Sequence, residues 1–138
     1  MYPLTEIFKA TFNELDSDSL DRLPNIYDND VHFQDPVREI RGLEDLRRYY
    51  ANLYQDVLSC HFEYQPGMED ATQAVIPWVM HVRHGTFRRG QEISLSGISH
   101  ICFTDRVHRH RDYFDMGEFI YERVPVLGGI IRRIKARL

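Results

Sequence analysis

Three stretches in the second half of the chain alternate with a period of two: residues 73–87, 92–104 and 106–115. Only short breaks separate them, at Arg89-Gly90 and Thr104-Asp105. Alternation this long, interrupted only by tight turns, requires an antiparallel meander with one face buried. In the first stretch Ala74, Ile76, Trp78, Met80, Val82 and His84 share the more apolar face, which is assigned inward. In the second, Ile93, Leu95, Gly97, Ser99, Ile101 and Phe103 do so. The third divides into His108, His110, Asp112 and Phe114 against Val107, Arg109, Arg111, Tyr113 and Asp115. The two arginines assign the latter set outward, so His110 and Asp112 are expected to point in.

The first half is mainly helical. Leu4, Ile7, Phe8, Thr11, Phe12 and Leu15 recur at spacings of three and four, which predicts a helix over residues 3–15. Asp16-Ser17-Asp18-Ser19 supplies capping residue types for a second, short helix carrying Leu20, Leu23, Ile26 and Tyr27, with Pro24 inside it. Asp28-Asn29-Asp30 reads as a turn into an opening strand, VHFQDPVREIRG, over residues 31–42. After Gly42 a third helix is predicted over 43–55, with Leu46, Tyr49, Tyr50, Leu53 and Tyr54 on its apolar face. Residues 60–65 alternate again, with Cys60, Phe62 and Tyr64 on one side, and Pro66-Gly67 is a turn signal. The fold class is α+β, with helices packed on one side of a curved sheet.

Several inward positions are polar. Asp35 shares a strand face with Val31 and Phe33, and His84, Ser99, His110 and Asp112 join it from other strands. A buried carboxylate is costly unless paired or hydrogen-bonded. Polar groups from several strands suggest convergence on a cavity, with Phe33, Trp78, Met80, Ile101 and Phe114 as apolar wall. Eight Tyr and eight Phe fit either such a pocket or a thick core. His108-x-His110 with Asp112 on the same strand face also admits a metal reading.

Overall there are 17 basic and 21 acidic residues. Five of the basic ones, and no acidic one, fall in residues 123–138, so residues 1–122 carry a net −9. An acidic body argues against general nucleic-acid binding, which needs a basic footprint. Two distant cysteines make no disulfide framework, and the first residues do not read as a signal peptide. A cytoplasmic location is therefore the default expectation. The segment VPVLGGIIRRIKARL reads as a basic amphipathic helix with a flexible lead-in at Gly128-Gly129. It is suited to docking on its own domain or on a sister subunit, or to membrane-surface contact. The expected division is a domain over 1–122 and a basic tail over 123–138.

YDNDVHFQDPVREIRGLEDLRRYYANL, WVMHVRHGTF, LSGISHICF and HRHRDYFDMGEF together resemble the nuclear transport factor 2-like superfamily, in particular its SnoaL-like polyketide cyclase and ketosteroid isomerase-like branches. The resemblance runs from about residue 4 to 120. It implies a cone: a strongly bent antiparallel sheet closed by three helices around an apolar pocket. It further implies a homodimer that uses the convex face with His81, Arg83, His100, Arg109 and Arg111. Asp35 matches the isomerase general base, and Asp112 the acidic residue of cyclase and epoxide hydrolase relatives. The isomerase oxyanion-hole positions fall near Thr11 and on Ser99, and the epoxide hydrolase Arg-x-Asp pair is replaced by His81-Val82-Arg83-His84.

Two functional readings follow. In one, an enzyme acts on a small apolar carbonyl compound without a cofactor. Asp35 is then the base, Asp112 or His110 the acid, and His84 and Ser99 polar contacts. In the other, the same cone binds a ligand or a protein without turnover.

Overall fold

The structure is a computed structural model that describes residues 3–85, 91–115 and 125–138. The Arg89-Gly90 turn, the end of the 73–87 stretch and the expected boundary at 122/123 lie outside the described residues.

Helix α1 (Pro3–Glu14) is followed by a short 3-10 helix (Leu20–Asn25), strands β1 (Tyr27–Gln34) and β2 (Glu39–Arg41), and helix α2 (Leu43–Tyr54). Strands β3 (Val57–Tyr64), β4 (Met68–Glu69), β5 (Gln73–His84), β6 (Glu92–Phe103) and β7 (Val107–Phe114) come next, and helix α3 (Pro125–Ala136) closes the series. All seven strands join one curled sheet in the order β2-β1-β7-β6-β5-β3, with β4 on β5. The meander is as expected: β5 pairs with β6 from Gln73↔Cys102 to Arg83↔Glu92, and β6 pairs with β7. The first strand then returns to lie parallel to the last, with Phe33 opposite His110.

Four details differ from the sequence expectation. Asp28, Asn29 and Asp30 are strand, not turn, because β1 bulges where its register with β7 jumps from Tyr27↔Val107 to His32↔Arg109. Strands β2 and β4 are too short to leave an alternating signature. A bulge also separates Cys102↔Arg109 from Phe103↔Val107. It places an extra residue, His108, in β7 and inverts the facing there: Val107 is buried and His108 exposed. His108 therefore does not share a face with His110 and Asp112, and the metal reading loses its first ligand. Finally, α3 starts at Pro125 and continues through Gly128 and Gly129, so these glycines do not form a flexible lead-in.

Helices α1 and α2 cover the concave face. Helix α1 buries Phe8 and Phe12, and Asn13 fixes it to β3 by donating to the Phe62 carbonyl and accepting from the Phe62 amide (3.1 and 2.7 Å). Helix α2 starts at Gly42, whose φ of +95° lets the chain leave β2 while its amide donates to the Val31 carbonyl at 2.8 Å. The hydrophobic core fills one end of the concave face, where Phe8, Leu23, Ile26, Tyr27, Val31, Ile76, Ile101 and Val107 meet. Toward the other end, around Trp78–His84 and Ile93–Ser99, helices and sheet diverge and the space stays open.

Candidate functional site

The divergence leaves a cavity of about 1050 Å³, at the upper end of the usual size for a small-molecule pocket. Phe8, Phe12 and Phe33 form its base. Trp78, Met80, Leu95 and Phe114 line the sheet side, and Tyr49, Tyr50 and Tyr54 line the α2 side. Trp78 lies directly over Gly97, where a Cβ would come within 2.3 Å of the indole, so only glycine leaves room for the ring. The mouth carries Arg38, Arg41 and Arg48. Arg41 pairs with Glu39 at 3.5 Å, and Arg48 with Asp45 at 3.4 Å.

Of the residues singled out in the sequence, Phe33, Asp35, Trp78, Met80, His84, Ser99, His110, Asp112 and Phe114 all line this cavity. Ile101 does not. It is fully buried in the core, because it lies opposite Ala74 and His110 at the narrow end of the cone.

The two carboxylates have different environments. Asp35 Oδ1 accepts the backbone amides of Val37 and Arg38, both at 2.8 Å, and closes the turn between β1 and β2. Its Oδ2 accepts the Tyr49 hydroxyl. Both oxygens are thus engaged in holding the mouth. Replacing Asp35 with Asn is expected to lower stability by about 1–2 kcal/mol at neutral pH, since an amide NH2 faces a donor at one of these positions. A urea titration of the two proteins checks this.

Asp112 stands at the end of a buried hydrogen-bonded chain. Its Oδ1 accepts from Ser99 Oγ at 2.5 Å and contacts His110 Nε2 at 2.6 Å. Trp78 Nε1 donates to Ser99 Oγ at 2.9 Å. On the other side, His110 Nδ1 lies 2.6 Å from the Tyr27 hydroxyl, which lies 3.1 Å from the Tyr50 hydroxyl. The neutral form of His110 satisfies every contact with one donor assignment. An ionised Asp112 only accepts, so His110 donates through Nε2, its Nδ1 accepts from Tyr27, and Tyr27 accepts from Tyr50. His110, 2% exposed, is held among Phe8, Phe12, Tyr27 and Phe33. Asp112 Oδ2 has no protein partner among the described residues, and the side chain is 20% exposed at the cavity wall.

Burial pushes the Tyr27 and Tyr50 phenols well above the ordinary tyrosine value, and the charge of Asp112 adds to this. Tyr49 is raised by burial and then by its bond to Asp35. Tyr54 is also raised, chiefly by burial, and its hydroxyl has no protein acceptor among the described residues. Cys60, another lining residue, has its thiol pushed up by burial to about 11, so it is a poor nucleophile near neutrality. Of the two oxyanion-hole positions, Thr11 donates to the Ile7 carbonyl at 2.7 Å within its own helix and does not reach the cavity. Ser99 is part of the chain to Asp112.

A sequence model described as the SnoaL-like domain matches residues 8–110, which span α1 to the middle of β7. The chain belongs to the SnoaL-like domain family. No curated protein matches it. Among solved structures, this SnoaL-like protein is similar to an NTF2-like protein of unknown function from Burkholderia pseudomallei K96243, with 14% identity, 87% of this chain and 96% of that one covered, and a TM-score of 0.73. It is similar to a SnoaL-like polyketide cyclase from Agrobacterium tumefaciens C58, with 19% identity, coverage of 86% and 96%, and a TM-score of 0.68. It is also similar to an LEH-like epoxide hydrolase from M. tuberculosis, with 14% identity, coverage of 83% and 78%, and a TM-score of 0.67. At these identities the likeness establishes the nuclear transport factor 2-like fold.

Sequence reasoning passed over the tyrosines. Tyr49, Tyr50 and Tyr54 read as apolar surface of α2, and Tyr27 as core. The available signal was the choice of phenol over phenyl at four positions where Phe would pack as well.

Proposed function

We propose that this SnoaL-like protein binds a mostly apolar carbonyl compound and moves a proton on it, with Asp112 as the acid–base group. One observation carries the reading: Asp112 Oδ1 is held by Ser99 and His110, while Oδ2 faces an apolar cavity with no protein partner among the described residues. The arrangement supports removal of a proton from carbon next to a carbonyl by Oδ2. The electron pair moves onto the carbonyl oxygen, and Tyr54, which lines the same cavity, donates its hydroxyl to the enolate. The proton then returns to another carbon, or the enolate carbon attacks a second carbonyl in the same molecule and the alkoxide formed there takes the proton back from Asp112. Neither outcome requires an oxidant or a reductant. Asp35, the base implied by the resemblance, is less suited because three donors already occupy its oxygens.

The test is deuterium exchange at the α-carbon of a panel of cyclic ketones and β-diketones in D2O, followed by NMR. Asp112→Asn is expected to slow exchange by roughly 10²–10⁴-fold while an apolar fluorescent probe still binds. Exchange at the wild-type rate in the variant would remove Asp112 from the chemistry. A wild-type protein that binds these compounds tightly and exchanges none of them would favour the binding-module reading.

A further inference from the structure

Among the described residues, none of the last helix lines the cavity. Helix α3 is about 18 Å long. Ile130 and Ile134 lie one turn apart on it and are 52% and 56% exposed, and Leu138, four residues further on, is fully exposed. A row of three large apolar side chains is thus left in solvent, not docked on the domain beneath it. Arg132, Arg133, Lys135 and Arg137 interleave with the row and are all exposed. Residues 123–138 contain five basic residues and no acidic one, whereas residues 1–122 carry a net −9. No helix among the described residues is long and apolar enough to cross a membrane. The helix is also tied to the pocket side of the fold: Lys135 Nζ lies 3.0 Å from Asp115 Oδ2, and Asp115 follows Phe114 of the cavity wall.

We infer that α3 docks the protein on an anionic lipid surface. Ile130, Ile134 and Leu138 enter the headgroup–acyl boundary, and the basic side chains meet the lipid phosphates. Charge together with the exposed apolar row decides between this occupant and others. The acidic body is repelled by an anionic bilayer, so contact is confined to the one basic segment. The apolar row then has a non-aqueous phase to enter, which the carboxylates of a sister subunit would not provide. Through the link between Lys135 and Asp115, docking brings the cavity to the lipid surface, a suitable place for exchanging an apolar ligand.

Co-sedimentation of the full chain with two kinds of vesicle tests the inference: phosphatidylcholine alone, and equimolar phosphatidylcholine and phosphatidylglycerol. Binding is expected on the anionic vesicles and to fall as salt rises. Arg133→Glu and Arg137→Glu are expected to weaken it by about fivefold per lost charge. Ile130→Asp with Ile134→Asp should weaken it by about tenfold or more. These side chains are exposed, so circular dichroism and thermal unfolding should match the wild type. Absence of binding to anionic vesicles overturns the inference, as does equal binding to both kinds. Binding that ignores the isoleucine change also overturns it. If that change alters the oligomeric state instead of vesicle binding, the helix pairs with a second copy and not with lipid.

Discussion

Replacing His110 with alanine should cost about 3–5 kcal/mol of stability, among the largest effects of any single substitution in this chain. Two losses add. The imidazole ring sits 5.0–6.2 Å, centroid to centroid, from Phe8, Phe12, Tyr27 and Phe33, so its removal opens a void among these rings at the base of the cavity. It also takes the acceptor from Tyr27 and one of two donors from Asp112, leaving polar atoms stranded where little water reaches. His110→Phe separates the two contributions. It keeps most of the volume and loses the hydrogen bonds, and should cost about 1–3 kcal/mol. Urea unfolding of the three proteins provides the comparison. Equal stability of His110→Ala and wild type would mean that the chain from Tyr50 to Asp112 does not form.

The second large effect is alkaline unfolding. Tyr27 and Tyr50 are 1% and 5% exposed, and burial raises both phenols in the folded state. In the unfolded chain they ionise near the ordinary value of about 10. Above that pH the unfolded state releases protons that the folded state retains, so stability falls as pH rises. The loss is about 1.4 kcal/mol per pH unit above 10 for each phenol. Thermal midpoints should hold steady between pH 7 and 9, then drop steeply. Tyr50→Phe should flatten the drop. Phenolate absorbance that grows above pH 10 in the intact fold and is lost in Tyr27→Phe or Tyr50→Phe would contradict the burial of these rings.

The sheet was largely legible because β5 and β6 are long, paired along their length and buried on one side. Every residue assigned inward from Ala74 to His84 and from Ile93 to Phe103 is buried or half-buried. The same logic failed at His108 because a bulge adds a residue without changing the apparent alternation. At Asp35 parity gave the correct side, since the residue does line the cavity, but not its bonding. Asp-Pro-Val-Arg closes a turn in which the carboxylate caps the amides of the next residues. Asp112 and His110 could be placed on one face, but their mutual contact could not be foreseen. Nor could the link to Tyr27, because it depends on β1 lying against β7, and no local pattern encodes a pairing between strands so far apart in the chain.

The parallel return of β1 onto β7 has a kinetic consequence. Tyr27 and His110 are separated by 83 residues, and Phe33 meets His110 only when the first strand adds to the last. A loop of that length carries an entropic cost before any contact compensates for it, whereas the hairpins β5–β6 and β6–β7 close locally. The meander can therefore be well advanced while the hydrogen-bonded chain is still in separate pieces. Emergence of the chain from Tyr50 to Asp112 would then report completion of the whole domain, since it draws on α2, β1 and β7 at once.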